Sequence, residues 1–237
     1  STMVVEGGYD LGIATDGDAD RIGLIDSMGH FIHPNDILVL LYYYLVKYKG
    51  WKGDCVRNIA TTHLLDRLAK AFGCTCWEVP VGFKWISAKM DETGAIIGGE
   101  SSGGLTVKGH ISGKDGIYAA ALLVEMISVI GKPLNVILKE IKDEYGQCEM
   151  SEFDCRFSHE KKEELNELLF VEKKLPEFPV EVEKVSYMDG CKVYFKNDGW
   201  IICRFSGTEP LIRIFCEMET YAKAMEVTDT MRKFLGL

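Results

Sequence analysis

The sequence has no apolar run long enough to cross a bilayer. A spanning helix needs about 20 predominantly apolar residues. The longest stretch here, residues 37–46, falls well short and carries Tyr42, Tyr43 and Tyr44. Nor does it have a surplus of basic residues. Lys and Arg number 27 against 36 Asp and Glu, for a net charge of −9, which argues against a nucleic-acid surface. There is no C-x-x-C pair among the eight cysteines, so neither a zinc ribbon nor a thioredoxin-type redox motif is indicated. Cys203 and Cys216 fall in apolar, strand-like runs and read as buried thiols. With no signal-peptide pattern either, we expect a reducing cytoplasm and no membrane partner. No G-x-x-x-x-G-K pattern, internal repeat or low-complexity segment is present.

What is present is an ordinary globular composition, 47% hydrophobic and 27% charged. At 237 residues the chain has room for about one to three domains. Strand-like and helix-like patterns alternate up to residue 145. Strands are expected at 11–15, 22–26, 54–60, 74–79, 95–98 and 105–107. Helices are expected at 36–48 (with Asn35 as N-cap), 64–72, 83–90, 116–130 and 134–145. Such alternation predicts an α/β layer with a mostly parallel sheet. From about residue 147 the pattern changes. Strands at 150–157, 182–185, 192–195, 199–205 and 211–217 are grouped between helices at 160–169 and 221–234. This predicts a small α+β domain. We therefore divide the chain into 1–33, 34–147 and 148–237.

Three constellations carry chemistry. The first is Asp16-Gly17-Asp18-Ala19-Asp20-Arg21 between two apolar runs. Carboxylates at alternate positions of a tight loop can converge on one hard cation, while the arginine suits an anion. An EF-hand would need glycine and glutamate at loop positions six and twelve, where Arg21 and Ser27 stand. A haloacid-dehalogenase-type loop would follow its second aspartate with glycine and threonine, where Ala19 and Asp20 stand. The second constellation is Gly98-Gly99-Glu100-Ser101-Ser102-Gly103-Gly104. Its glycines allow close approach of a ligand. Its carboxylate and hydroxyls suit a polyol better than a phosphate. The third is Arg204-Phe205-Ser206-Gly207-Thr208-Glu209-Pro210 with Arg213. Two arginines, two hydroxyls and a glycine-bearing turn fit an anion nest.

In this order the three motifs resemble those of the α-D-phosphohexomutases, the phosphoglucomutase and phosphomannomutase enzymes. That family's metal loop reads D-G-D-[GA]-D-R, its sugar loop G-E-x-S-G and its phosphate loop R-x-S-G-T-E-P-x-x-R. Pro80-Val81-Gly82-Phe83-Lys84 and Lys114-Asp115-Gly116 are also similar to family segments. The resemblance implies a chain made of the tail of domain two, the α/β sugar-binding domain three and the α+β phosphate-binding domain four. It implies an isomerase that interconverts hexose 1-phosphate and hexose 6-phosphate through a phosphoserine and a bisphosphate. Asp16, Asp18 and Asp20 would hold Mg²⁺. Arg21 would contact the phosphoserine or the substrate near it, and Lys84 would act as acid/base or ligand. Glu100 and Ser102 would bind sugar hydroxyls. Arg204, Ser206, Gly207, Thr208 and Arg213 would hold the phosphate not being transferred.

The family's serine loop, T-x-S-H-N, does not occur in the sequence. The resemblance therefore implies an inactive portion whose partners are hexose phosphate and the remaining domains of the same protein. Ser101 departs from the glutamate, methionine or glutamine of many relatives. Glucose is the favoured sugar and mannose the next. Two other readings remain: a non-catalytic phosphosugar-binding module, and a metal-dependent phosphatase with Asp16 as nucleophile.

Overall fold

The computed structural model describes residues 1–207 and 209–237, and these form two compact units, Ser1–Gly146 and Gln147–Leu237. The first unit opens with helix α1 (Thr2–Gly7) and an antiparallel sheet of β1 (Leu11–Thr15), β2 (Ile22–Asp26) and β3 (Phe31–Ile32). Register runs from Leu11 opposite Asp26 to Thr15 opposite Ile22, so the aspartate loop is the connection of this hairpin. Ile22, Leu24 and Asp26 alternate inward on β2, as a half-buried strand requires.

The elements that follow are α2 (Pro34–Lys47), β4 (Cys55–Asn58), α3 (Leu64–Ala71), β5 (Cys76–Val79), α4 (Phe83–Thr93), β6 (Ile97–Gly99), β7 (Leu105–Val107), α5 (Gly116–Ile130) and α6 (Leu134–Tyr145). The sheet order is β5–β4–β6–β7. β4 is parallel to both neighbours, and β7 alone runs antiparallel, to β6. The α/β class with a mostly parallel sheet is thus observed. Helix α2 packs against α3, α5, α6 and β6 and buries an unbroken run from Ile37 to Tyr42. Fully burying each aliphatic side chain stabilises the fold by about 1.5–3 kcal/mol. Its cap differs from expectation. Pro34 takes the first helical position, which moves the cap back to His33, whose Nδ1 accepts the Asn35 N–H at 3.1 Å.

On β4, Arg57 is 2% exposed. It donates to Asp66 (2.7 and 3.1 Å), Glu78 (2.6 Å) and the Asn58 carbonyl (3.3 Å). Its desolvation is outweighed by the two carboxylates, which keep it charged.

The second unit holds β8 (Glu149–Arg156), α7 (His159–Asn166), β9 (Val182–Ser186), β10 (Cys191–Phe195), β11 (Trp200–Phe205), β12 (Leu211–Met218) and α8 (Tyr221–Leu235). Its antiparallel sheet has the order β8–β12–β11–β10–β9, an α+β arrangement. The helix expected over 160–169 ends at Asn166 and continues as a π-helical turn, Glu167–Val171. The wider turn lets consecutive Leu168, Leu169 and Phe170 all reach the core, which a regular α-turn would not allow. Cys203 and Cys216 are fully buried free thiols. Burial pushes both well up, so they stay protonated. Among the described residues no single helix is long and apolar enough to cross a membrane.

Candidate functional site

The β1–β2 hairpin has to turn over six residues, and it does so by folding the aspartates onto themselves. The Ala19 N–H donates to the Asp16 carbonyl (3.1 Å) and the Arg21 N–H to Asp16 Oδ1 (3.1 Å). Ala19 takes a left-handed conformation at φ 59°, which a small side chain tolerates best. One oxygen from each of Asp16, Asp18 and Asp20 lies within 4.8 Å of the others. Oxygens bonded at about 2.1 Å to an octahedral cation stand about 3–4 Å apart. The cluster is within a side-chain adjustment of that geometry. Asp20 Oδ1 is buried and, among the described residues, has no hydrogen-bond partner, with Arg21 Nε at the longer distance of 3.6 Å, so it keeps acceptor capacity for a cation. The residues present therefore fit a hard divalent ion. Desolvation works against ionisation of Asp16. The Arg21 N–H, the link to Asp20 and the Arg21 charge outweigh it and hold the carboxyl below its usual range.

Arg21, expected to face an anion, leans on the cluster instead. Its Nε is 3.7 Å from Asp16 and 3.6 Å from Asp20. Three carboxylates in one turn draw in the nearest cations, and Lys114 likewise forms an ion pair with Asp20.

Backbone contacts join this loop to the glycine-rich one. Arg21 and Gly104 form an antiparallel bridge, and the Ile22 N–H donates to the Gly103 carbonyl at 3.3 Å. Gly103 has φ +96°, and a Cβ there would meet the Ile22 carbonyl oxygen at 2.9 Å. Gly116 closes the third side. Its N–H donates to the Ala19 carbonyl (3.0 Å), and a Cβ would lie 2.7 Å from the Arg21 oxygen. Asp115 before it caps α5 by accepting the Tyr118 N–H at 2.9 Å and pairs with His110 at 2.7 Å. These two bonds hold its carboxyl below the usual range against some desolvation.

Glu100 is 8% exposed. Its Oε1 accepts from Asn58 Nδ2 (3.3 Å) and from the Gly82 N–H (3.1 Å), and its Oε2 faces the Ser102 hydroxyl at 3.5 Å. Gly82 is the N-cap of α4, so the carboxylate meets the positive end of that helix. Glu100 and Ser102 are thus brought together. Lys84 is not brought into this group. It is exposed on the first turn of α4 with its ammonium 4.9 Å from the Trp85 ring centroid, and among the described residues no carboxylate of the site pairs with it.

In the second unit the strand register sets the arginines. Arg204 on β11 is directly opposite Arg213 on β12, which is opposite Asp154 on β8. Arg204 Nε donates to Asp189 at 2.9 Å, while Arg213 Nε is 3.6 Å from Asp154 and, though buried, without a hydrogen bond among the described residues. The Ser206 hydroxyl accepts the Glu209 N–H at 3.3 Å, which shapes the turn. A side chain built on Gly207 would meet no atom of the described residues beyond its chain neighbours within 4 Å. Thr208 lies outside the described residues. A row of guanidinium groups beside a turn can hold a dianion by charge-assisted bonds.

Sequence reasoning missed Asn58, Thr61 and Gly82 behind Glu100, and Asp154 and Asp189 behind the arginines. Lys114 was singled out only by resemblance.

Comparison with known proteins gives the family of this chain. The family described as phosphoglucomutase/phosphomannomutase, alpha/beta/alpha domain III, matches residues 33–145, and its C-terminal domain matches residues 159–234. A phosphoglucomutase/phosphomannomutase of Thermococcus kodakarensis is 33% identical over 96% of this chain and 47% of its own length. A candidate phosphoglucosamine mutase of Pyrococcus furiosus is 34% identical over 100% of this chain and 50% of its own. The crystal structure of a candidate phosphomannomutase from Thermus thermophilus superposes with a TM-score of 0.79 at 29% identity, covering 100% of this chain and 49% of that one. The chain spans about half the length of the curated relatives it matches. It belongs to the phosphoglucomutase/phosphomannomutase family, of which it carries the domain III and C-terminal domain regions.

Proposed function

We propose that this chain forms the metal-, sugar- and phosphate-holding part of a Mg²⁺-dependent phosphohexomutase. The longer protein containing it would interconvert hexose 1-phosphate and hexose 6-phosphate, with glucose the preferred sugar and mannose accepted. The observation that carries this reading is the Arg21–Gly104 backbone bridge. It fixes a three-carboxylate cluster beside a loop bearing a sequestered glutamate and a serine hydroxyl, so a cation and a polyol would be held side by side.

Asp16, Asp18 and Asp20 would hold Mg²⁺, which when bound offsets charge on the oxygens of a transferring phosphoryl group. Arg21 supplies a second cation at the same point. Glu100 and Ser102 accept and donate to sugar hydroxyls and so fix which end of the sugar faces the cluster. Arg204 and Arg213, with Ser206, Gly207 and Thr208, would hold the phosphate that is not being transferred. Such a remote grip supplies positioning energy to the reacting end. Lys84 would serve as a ligand or proton carrier only after swinging away from Trp85. The phosphoserine that exchanges the phosphoryl group would come from a part of the longer protein outside these 237 residues. The chain alone is then inactive. Eight free thiols support a reducing cytoplasm as its setting.

A second reading concerns the sugar. The Pyrococcus furiosus relative is named as a candidate phosphoglucosamine mutase, which favours an amino sugar as the alternative. Steady-state kinetics of the longer protein with the 1-phosphates of glucose, mannose and glucosamine test both. A kcat/KM highest for glucosamine 1-phosphate would replace glucose by the amino sugar. No isomerisation of any of the three would remove the mutase reading.

A further inference from the structure

Glu100 stands at the centre of a buried hydrogen-bond network that the three sequence motifs do not contain. Asn58, the last residue of β4, is 2% exposed, and Thr61 in the following turn is fully buried. Asn58 Oδ1 accepts the backbone N–H of Ala60 at 2.9 Å and lies 2.8 Å from the Thr61 hydroxyl. A backbone N–H can only meet an acceptor, so this contact settles which end of the amide is oxygen. The Nδ2 end is thereby turned toward Glu100 Oε1, at 3.3 Å. Thr61 Oγ1 also accepts the Ser101 N–H at 3.2 Å. Its single hydrogen is left for Asn58, and the two residues grip the sugar loop from both its backbone and its carboxylate.

The network has a direction. Glu100 Oε1 is occupied by two donors, Asn58 Nδ2 and the Gly82 N–H, whereas among the described residues Oε2 meets only the Ser102 hydroxyl, at 3.5 Å. An ionised carboxylate has about four acceptor sites. One oxygen is anchored to the scaffold and the other keeps acceptor capacity on the side of Ser102.

We infer that Asn58 is a positioning residue for the sugar. By anchoring Glu100 Oε1 it commits Oε2, with the Ser102 hydroxyl, to a sugar hydroxyl. Its contact with the sugar's own ligand is the one to Glu100, and Thr61 locks its amide orientation. This rests on the proposed role of Glu100 in sugar binding.

The test is a double-variant cycle in the longer protein, with glucose 1-phosphate as substrate, reading KM and kcat separately. Glu100→Gln and Asn58→Ala are each expected to raise KM about tenfold, the value of a hydrogen bond to a charged group, with a smaller change in kcat. The double variant is expected to match Glu100→Gln alone, because the Asn58 donor bears on the sugar through that carboxylate. Asn58→Ser guards against misfolding. A serine hydroxyl can keep the turn contact with the Ala60 N–H but is too short to donate to Glu100, and it adds no charge. It should unfold within a few degrees of the unsubstituted protein and raise KM about as much as Asn58→Ala. A KM unchanged in Asn58→Ser, or factors that multiply in the double variant, overturns the inference while leaving Glu100 its role. A KM unchanged in Glu100→Gln overturns the sugar-binding role and the inference with it.

Discussion

Arg204 and Arg213 are direct cross-strand partners on β11 and β12, so their side chains leave the same face of the sheet. Like charges directly opposite are destabilising. Each arginine is offset by its own carboxylate, Asp189 at 2.9 Å and Asp154 at 3.6 Å. These carboxylates offset the repulsion between the two guanidinium groups. A guanidinium has five donors, and Arg204 Nε spends one on Asp189.

Removing half of this pair should weaken substrate binding more than turnover. In the longer protein, Arg204→Ala is expected to raise KM for glucose 1-phosphate by about tenfold or more, the value of a charge-assisted contact. Steady-state kinetics check it. A variant with unchanged KM would refute the phosphate grip.

The ion pair between Lys114 and Asp20 competes with any cation at the aspartate cluster. Lys114→Met should therefore tighten divalent binding. With Mn²⁺ as a paramagnetic probe, Kd is expected to fall about threefold, as suits a partly exposed charge pair. A Kd that rises instead would mean that Lys114 supports the metal site.

Gly116 touches the back of the aspartate loop, with room for no Cβ: 2.7 Å to the Arg21 oxygen and 3.0 Å to that of Ala19. Gly116→Ala should cost about 1–3 kcal/mol through overpacking, seen as a melting temperature lower by about 2–8 °C, and should weaken Mn²⁺ binding. Unaltered melting and binding would show that the three segments are not tightly docked.

Asp115 gives a pH signature. Its carboxyl is held below its ordinary 3.8 by the Tyr118 N–H and by His110. A depressed carboxyl stabilises the fold above its unfolded pKa and loses that contribution as pH falls through the folded value. Asp115→Ala should therefore cost about 1 kcal/mol near neutrality, as loss of an N-cap does. The melting difference should shrink below about pH 4. A difference that stays constant from pH 7 to pH 3 would contradict this.

Much of the fold was legible because local rules and packing agree. β1, β2, β7, α5 and α6 have the expected bounds, and α5 ends at a left-handed glycine, Gly131. α1 and β3 were not read, since six residues with only Val4 buried and two residues of strand leave no periodic pattern. At the site, the aspartate spacing announced a cation and the arginines announced an anion. The groups that orient them did not show. Asn58 lies 42 residues from Glu100 and Asp189 lies 15 from Arg204. The parallel pairing of β4 with β6, and the antiparallel pairing of β10 with β11 that sets the β9–β10 turn beside Arg204, bring them together.

The central claim is that these 237 residues hold substrate and metal but not the group that carries the phosphoryl. The rate of glucose 6-phosphate formation from glucose 1-phosphate, measured with Mg²⁺ for the chain alone beside the longer protein, tests it most directly. The account predicts no turnover by the chain alone and robust turnover by the longer protein, reduced about a hundredfold or more by Asp18→Asn. Turnover by the chain alone, or an undiminished rate in Asp18→Asn, would contradict it.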